Sequence, residues 1–332
     1  MLRDTLKTLL SAWGPSGSEH NVQVTIKEML HGHVDNMRTD VLGNLIVEKF
    51  GVDDNAKRIM ISAHMDHIGL IVTAIEKEGF LRVSNVGGIG MKQSEFRHVV
   101  FENGVEGVLC SQPLEGDGKA VIKDLFIDIG AADADEARGM VQVGDMAVYS
   151  PDIFTLGKHR IAAPAMDNRC ACALLVELLM YAEDQKNTII GVFSTQEEVG
   201  LRGASVAAYA VNPDIGLGLD VTAWGDTPGT KIPDIKLGAG PAVKIKDNSM
   251  IATPLVRDAL FEAALEADVA VQREVLPFGG TDGAAIQHTR GGIPAGTLSI
   301  PCRYVHSACE MIDMRDMDGA LKVLLHFVNI VE

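Results

Sequence analysis

The clearest indication of the architecture is the stretch TIIGVFSTQEEVGLRGA, residues 188–204. Its apolar first half is typical of a strand that is buried on both faces of a sheet. Two adjacent glutamates, Glu197 and Glu198, follow this strand directly. Neighbouring side chains in a strand point to opposite faces, and neighbours in a helix do not face each other. The two carboxylates are therefore either solvated surface charges or groups with two separate tasks.

Similar apolar runs and helical patterns alternate along most of the chain. Strands are predicted at residues 58–64, 188–194, 215–221 and 296–301. Helices are predicted at residues 168–184, 253–268 and 315–331, and an amphipathic pattern fills residues 1–14. Strands that alternate with helices indicate an α/β fold, in which a mixed, mostly parallel sheet is flanked by helices.

The segment from about 70 to 160 has a different pattern, with short β-prone runs and no long helical pattern. Turn signals separate these runs at residues 77–80, 101–107, 115–120 and 143–146. This pattern predicts a β-rich insert. We therefore expect residues 1–68 and 162–332 to form one α/β domain, with the insert at residues 69–161.

Composition excludes several classes of partner and compartment. The formal net charge of −16 argues against binding to nucleic acid or to anionic membranes. No run of 18 apolar residues exists, and the first residues lack the apolar core of a signal peptide, so we expect a cytoplasmic protein. Five cysteines without a CxxC pair favour buried free thiols, although Cys302 and Cys309 flank His306 and a ligand role stays open.

Polar residues collect at the ends of the predicted strands. They are His64, Asp66, Glu197, Glu198, Asp220 and His306, and Asp167 lies just ahead of a predicted helix. Ligands of open α/β sheets bind beyond the carboxyl ends of the strands. Two histidines with several carboxylates suit zinc, cobalt or manganese. The sequence therefore predicts a metal site at this edge of the sheet.

Each of these residues also has an ordinary structural interpretation. The glutamate pair suits the first turn of a helix, Asp220 suits an N-cap, and His306 suits a hydrogen-bonded core position. The motif GGTDG at 279–283 is interpreted first as a tight turn. All these explanations would have to hold at once, each just after an apolar strand, so the shared metal site is favoured.

A site with two metals gives the adjacent glutamates separate tasks. One carboxylate would bind a metal, and the other would face the bridging water as a general base. Asp167, which stands alone between the other groups, is the best candidate for a ligand shared by both metals. Asp66 lies two residues beyond His64, on the same face of the strand, and is placed to orient that imidazole.

Nearly the whole chain resembles the dinuclear-metal aminopeptidases of the glutamyl aminopeptidase, TET and deblocking type. The shared motifs are GPSGSE (14–19), TDVLGNL (39–45), SAHMDHIG (62–69), AMDNR (165–169), TQEEVGLRGA (195–204), LDV (219–221) with DTPG (226–229), GGTDG (279–283) and RYVHS (303–307). The resemblance implies a metal-dependent aminopeptidase that removes N-terminal residues from short peptides. It also implies a PDZ-like insert for dimerisation and a hollow dodecamer built from dimers.

The same resemblance implies a role for each candidate residue. His64 and Asp220 would bind one divalent ion, Glu198 and His306 the other, and Asp167 would bridge them. Glu197 would be the general base with Asp66 as its companion, the ions would be zinc or cobalt, and the peptide bond after Asp167 would be cis. His67 and Trp224 depart from the usual pattern, which leaves the preferred N-terminal residue open.

Three alternative functions remain at this point. Some relatives carry an endoglucanase label, but adjacent glutamates are poorly placed to flank a sugar bond, and that chemistry gives two histidines no role. A related metal-dependent deacylase or carboxypeptidase would use the same ligands. A non-enzymatic scaffold is disfavoured because the ligand set is intact.

Overall fold

The computed structural model describes residues 1–112, 121–230 and 234–331. Its helices are α1 Leu2–Ser11, α2 His20–Leu30, α3 Met91–Ser94, α4 Ala134–Met140, α5 Met166–Tyr181, α6 Arg202–Val211, α7 Pro254–Glu266, α8 Asp282–Gln287 and α9 Met314–Ile330. Its strands are β1 Asn36–Thr39, β2 Leu45–Lys49, β3 Arg58–His64, β4 Gly69–Ile75, β5 Leu81–Val86, β6 Arg97–Phe101, β7 Glu106–Ser111, β8 Leu125–Asp128, β9 Met146–Tyr149, β10 Phe154–Leu156, β11 Arg160–Ala163, β12 Thr188–Ser194, β13 Ile215–Thr222, β14 Ala242–Lys246, β15 Gln272–Val275, β16 Ala295–Arg303 and β17 Glu310–Asp313. The strands and helices predicted outside the insert are therefore confirmed.

One large sheet forms the centre of the α/β region. Its strand order is β1-β2-β12-β3-β13-β16-β17-β11-β10, and β14 and β15 extend from β16. The central pairs β12–β3, β3–β13 and β13–β16 are parallel, whereas β2 and β17 add antiparallel pairs on either side. The mixed sheet predicted from the sequence is confirmed, and its parallel part is the centre.

The register of the central strands brings their carboxyl ends to one level. Ser194 at the end of β12 pairs with His64 at the end of β3. On the other side of β3, Gly218 of β13 pairs with Ser62, so Asp220 lies level with His64. These strands are almost wholly buried, which explains why they read as continuous apolar runs. The polar residues that follow them meet at one edge of the sheet.

Helices cover the sheet and complete its main core. Residues 166–179 of α5 are buried, because this helix lies between the sheet and other helices. Leu6 and Leu9 of α1, Leu175 of α5 and Phe327 of α9 belong to the same apolar cluster as the central strands. Across the described ranges, no helix combines the length and apolarity that a bilayer span requires.

The insert forms a closed antiparallel barrel of six strands in the order β4-β5-β8-β7-β6-β9. It has its own apolar cluster, which includes Leu70, Phe101 and Ile127. The β-rich character predicted for this segment is confirmed, and the turn signal at 115–120 lies outside the described residues. The hairpin of β10 and β11 pairs with β17 of the large sheet, although the sequence assigned residues up to 161 to the insert. We therefore propose that the insert ends nearer to residue 150.

Candidate metal centre

The seven side chains predicted to form the site lie together at the carboxyl ends of the parallel strands. His64 ends β3 and Asp220 lies near the end of β13. The loop after β12 carries the glutamate pair, and the loop after β16 carries His306. Asp167 lies at the start of α5, where the backbone is not yet helical.

Three carboxylates surround the ring of His64. Its Nε2 atom is 3.2 Å from Asp167 Oδ1 and 3.7 Å from Asp220 Oδ1. It is also 3.9 Å from Glu197 Oε2. Its other ring nitrogen, Nδ1, is 2.9 Å from the main-chain oxygen of Asp66, which fixes the ring with Nε2 toward the carboxylates.

A second group of ligand atoms surrounds His306. Its Nε2 atom is 3.1 Å from Glu198 Oε2 and 3.4 Å from Asp167 Oδ2. Asp167 thus directs one carboxylate oxygen toward each histidine. This arrangement is the one expected of a ligand shared by two ions.

The residues fit divalent metal ions. Ligand atoms of His64, Asp167 and Glu198 lie within 4.8 Å of one another, as do those of His64, Glu197 and Asp220. Donors about 2 Å from one ion in a tetrahedron are roughly 3–3.5 Å apart, close to the spacings around both histidines. Asp167 Oδ1 and Glu198 Oε1 are buried and form no hydrogen bond within the described residues. Such oxygens need another partner, and a cation supplies one.

Electrostatics in the cluster also favour bound cations. Burial raises the pKa of Asp220 to about 7 and holds that of Glu197 well above its usual range. Burial opposes a charged His306, but Asp167 and Glu198 raise its pKa to about 12. Several acids crowded in a buried site repel one another, and divalent cations would offset that repulsion and leave the imidazoles neutral.

Asp66 positions the glutamate pair more directly than it positions His64. Its carboxylate accepts hydrogen bonds from the backbone N–H of Glu197 at 3.0 Å and of Glu198 at 3.2 Å. Ser16 Oγ donates to the same carboxylate at 2.6 Å. The carboxylate itself is 3.6 Å from His64 Nδ1, a longer contact than that of the Asp66 main-chain oxygen.

Glu310 is an important residue that sequence reasoning missed. One of its carboxylate oxygens accepts the backbone N–H of Asp167 at 2.9 Å, and the other accepts that of His306 at 2.6 Å. His306 has a φ of +61°, a conformation that persists only where its surroundings hold it. Burial and the charge of Asp167 raise the pKa of Glu310 to about 8. No local signal marks this residue, because Glu310 is only the first of two acids in the short strand β17.

The GGTDG motif is more than the tight turn that the sequence suggested. Asp282 begins α8, and its side chain is buried behind the ends of β3 and β12. Ser62 Oγ donates to Asp282 Oδ2 at 2.7 Å, and Ser194 Oγ donates at 2.5 Å. Asp282 therefore joins the two strands that lead to His64 and to the glutamate pair.

The other shared motifs hold the loops around the site. Arg169 of AMDNR is fully buried and donates to the main-chain oxygens of Met65, Leu9, Ala12 and Gly14. The side chain of Asn44 accepts from the backbone N–H of Thr195 and donates to the main-chain oxygen of Gly203. A Cβ atom on Gly203 would lie 2.3 Å from Asn44 Oδ1, so only glycine fits at this position.

The peptide bond between Asp167 and Asn168 is cis, as the resemblance implied.

A cavity of about 630 Å³ opens beside the ligand groups. Trp224, one of the two departures noted in the sequence, lines it and packs edge-to-face against Tyr304 at 5.5 Å between ring centroids. The other departure, His67, is buried, and burial together with Arg169 lowers its pKa to about 3. Neither Cys302 nor Cys309 belongs to the two groups of possible ligands found among the described residues.

Comparison with known proteins identifies the family. The model of the M42 glutamyl aminopeptidases matches residues 43–323. A protein of Acetivibrio thermocellus, provisionally named an aminopeptidase, is 42% identical over 98% of both chains. The lysyl aminopeptidase of Pyrococcus furiosus is 33% identical over 96% of this chain and 94% of its own.

Solved structures give the same result. An aminopeptidase of Desulfurococcus kamchatkensis superposes with a TM-score of 0.95 at 35% identity, covering 99% of this chain and 94% of its own. The TET1 peptidase of Pyrococcus horikoshii, described as assembling into a tetrahedron or a large octahedral shell, has a TM-score of 0.88 at 32% identity over 99% and 100% of the chains. A Thermotoga maritima protein named an endoglucanase has a TM-score of 0.82 at 30% identity over 98% and 99%.

The fold and the site together define a peptide hydrolase of the aminopeptidase type. The chain belongs to the M42 glutamyl aminopeptidase family.

Proposed function

We propose that the protein is a two-metal aminopeptidase that releases N-terminal residues from short peptides. His64, Asp167 and Asp220 would hold one ion, and Asp167, Glu198 and His306 the other. The observation that carries the proposal is the placement of Asp167, whose two carboxylate oxygens lie 3.2 Å and 3.4 Å from the two histidine Nε2 atoms. Imidazole and carboxylate donors suit zinc or cobalt.

Each part of the site then has a chemical task. Bound divalent ions supply Lewis-acid polarisation of the scissile carbonyl and lower the pKa of a coordinated water. Glu197 would act as the general base, taking a proton at its carboxylate and returning it to the leaving amine. The carboxylate of Glu197 forms no hydrogen bond with the residues described, while its backbone N–H is fixed by Asp66. The backbone of Glu197 is therefore fixed, while its carboxylate is available to accept a proton.

A substrate panel tests the reaction class. Leucyl-anilide, its N-acetylated form, a peptide with a blocked C-terminus, an N-acetylated peptide with a free C-terminus and a soluble cello-oligosaccharide would be compared with and without chelator. We expect cleavage of both substrates that have a free N-terminal amine, and loss of activity with chelator. Release of acetate would favour the deacylase, release of C-terminal residues the carboxypeptidase, and chelator-resistant sugar release the endoglucanase.

Metal analysis tests the two-ion site independently of activity. After saturation with zinc or cobalt and removal of free metal, we expect two ions per chain, because the described ligands form two groups around a shared aspartate. A ratio that never exceeds one ion per chain would contradict the two-metal proposal.

We further propose a dodecamer assembled through the barrel. The relative TET1 peptidase can assemble into a tetrahedron or a large octahedral shell. The barrel of this chain exposes apolar side chains that a partner could cover, such as Phe96 and Val143, which are 78% and 60% exposed. A cytoplasmic location agrees with the free thiols of Cys170, Cys172 and Cys302, which suit a reducing compartment.

The fold suggests a sharp test of this assembly. Leu70 at the start of the barrel pairs with Ala147 near its end, so the chain enters and leaves the barrel side by side. A short glycine-rich linker can therefore replace the barrel without separating the strands of the sheet. Light scattering should find about twelve chains per particle for the full protein and small species for the shortened one. A full-length protein that stays monomeric and active would contradict the proposal.

A further inference from the structure

The cavity beside the ligand groups has an apolar wall that the proposed reaction leaves without a task. This wall is formed by Leu201, Val221, Trp224, Leu276, Phe278 and Val305. Phe278 is 51% exposed, so an incoming molecule can cover it. A free amine held at the ligand groups would place the adjacent side chain of the same residue in this cavity.

Lys244 also lines the cavity and brings a positive charge to it. Its side chain is 1% exposed, and its ammonium forms an ion pair with Glu274. The two residues are direct partners in the pairing of β14 with β15. A second carboxylate, Asp247 Oδ2, lies 3.9 Å from the same ammonium. One buried positive charge therefore faces two buried negative charges.

This arrangement disfavours an acidic substrate side chain. A buried charge needs a close partner of opposite sign, and the ammonium of Lys244 already has one. Glu274 Oε2 and Asp247 Oδ2 are buried and have no hydrogen-bond partner among the described residues, so an additional carboxylate nearby would meet uncompensated negative charge.

Within the described part of the chain, a basic substrate side chain also finds no unassigned carboxylate in this part of the cavity. Glu274 and Asp247 do not line the cavity, because Lys244 lies between them and the open space. Among the described residues, the carboxylates that do line it are Asp167, Glu198 and Asp220, which are assigned to the metals, and Glu197, which is assigned as the general base. A lysine or arginine side chain would lose hydration without gaining an ion pair.

We propose that this wall binds the side chain of the substrate's N-terminal residue and selects large neutral apolar side chains, such as leucine, phenylalanine and methionine. The ion pair of Lys244 with Glu274 is the device that excludes acidic residues. The inference rests on the proposed aminopeptidase function and adds its substrate class. Names within the family do not fix this preference, since the family is called glutamyl and the relative from Pyrococcus furiosus lysyl.

A panel of aminoacyl-anilides tests the preference in the metal-loaded protein. We expect kcat/KM for the leucyl and phenylalanyl substrates to exceed that for the glutamyl and lysyl substrates by at least about tenfold, the usual effect of a matched apolar pocket. A higher value for the glutamyl or lysyl substrate would overturn the inference but leave the aminopeptidase function intact. Hydrolysis of none of them would contradict the function itself. In that event calorimetry decides the preference, because free leucine should bind more tightly than free glutamate.

Glu274→Gln tests whether the ion pair of Lys244 with Glu274 excludes acidic side chains. The change keeps the shape of the side chain and leaves the ammonium of Lys244 with only the carboxylate of Asp247 at 3.9 Å, so that it can pair with a substrate carboxylate. The ratio of glutamyl to leucyl kcat/KM should rise by about tenfold, mainly through a lower KM for the glutamyl substrate. Glu262→Gln, the same change on the exposed surface of α7, should leave the ratio unchanged. An unchanged ratio in Glu274→Gln would overturn the role of the pair.

A triple variant separates charge from loosened packing. Lys244→Met with Glu274→Leu replaces the pair by apolar side chains of similar size, a change that proteins often tolerate, and Asp247→Asn is added so that no buried charge loses its partner. It should keep the leucyl activity and gain no glutamyl activity. An equal gain in the triple variant and in Glu274→Gln would show that loosening, and not the freed ammonium, admits the acid.

Discussion

The large sheet and the barrel differ in their strand arrangement and in what they contribute to the candidate site. The sheet brings the ends of β3, β12, β13 and β16 to one edge, and every candidate metal ligand lies there. The barrel closes six antiparallel strands on an apolar interior and contributes none of the seven predicted site residues. Parallel strands offer a shared edge for ligands, whereas a closed barrel offers a stable outer surface.

The two regions also differ in what they bury. In the barrel, the buried polar side chains among the described residues are Ser94 and Asp124. Around the site, His64, Asp66, Asp167, Asp220, Asp282 and Glu310 are all buried. Burying a charged group costs folding free energy. A concentration of buried titratable groups in one region therefore indicates that these residues serve chemistry and not stability. The predictions below test this contrast, from the largest expected effect on catalysis to the smallest.

Glu197→Gln should have the largest effect on turnover. The substitution keeps the shape of the side chain and removes its ability to accept a proton, so kcat should fall by about 10²–10⁴-fold. Metal content and particle size should remain those of the unmodified protein. Plasma emission spectrometry and light scattering measure both.

Glu198→Gln is the matched comparison for that variant. It changes the neighbouring residue in the same way, but it should lose metal, because Glu198 Oε2 lies 3.1 Å from His306 Nε2. If Glu197→Gln were the variant that lost metal, Glu197 would be a ligand beside His64 and Asp220, a grouping that the geometry also allows.

Glu310→Gln should have an intermediate effect, through positioning. An amide has only one acceptor oxygen, so it cannot accept the backbone N–H groups of both Asp167 and His306. Changes to groups that orient metal ligands typically cost about 10–100-fold in metal affinity. Calorimetric titration of zinc into the metal-free variant measures the loss. Glu310→Asp, which keeps two oxygens, should recover part of the affinity, and equal affinity in all three proteins would exclude the role.

Phe101→Ala in the barrel should have the smallest effect on catalysis. Phe101 is 2% exposed in the barrel core, and truncation of a buried phenylalanine costs about 3–5 kcal/mol of unfolding free energy. Denaturant unfolding should show this loss, while metal content stays unchanged. Val108→Ala truncates a 44% exposed side chain of the barrel and should change stability little. Loss of metal in Phe101→Ala would mean that the barrel supports the site after all.

Much of this architecture could be predicted from the sequence because its strongest signals are local. The buried strands β3 and β12 are uninterrupted apolar runs with clear ends, and their boundaries were predicted correctly. The candidate ligands follow such strands directly, so the edge that they share was also predictable.

Other features depend on contacts between distant segments, and no local pattern reveals them. Glu310 reads as one more acid before a helix until the structure shows Asp167 and His306 beside it. Asp282 reads as part of a glycine-rich turn until Ser62 and Ser194 are seen to donate to it. The hairpin of β10 and β11 looks like more of the insert, because short antiparallel strands have the same pattern in either setting.

The side-by-side entry and exit of the barrel also bear on how the chain folds. β3 and β12 must pair although the whole barrel and α5 separate them in sequence, and closing a long loop between them costs chain entropy. Three of the barrel's six strand pairings join strands that are neighbours in sequence, which favours early formation of these pairs. Once β4 and β9 have paired, the segment that follows β9 lies close to the segment that joins β3 to β4. A folded barrel thereby shortens the effective loop between β3 and β12 and lowers the entropy cost of their pairing.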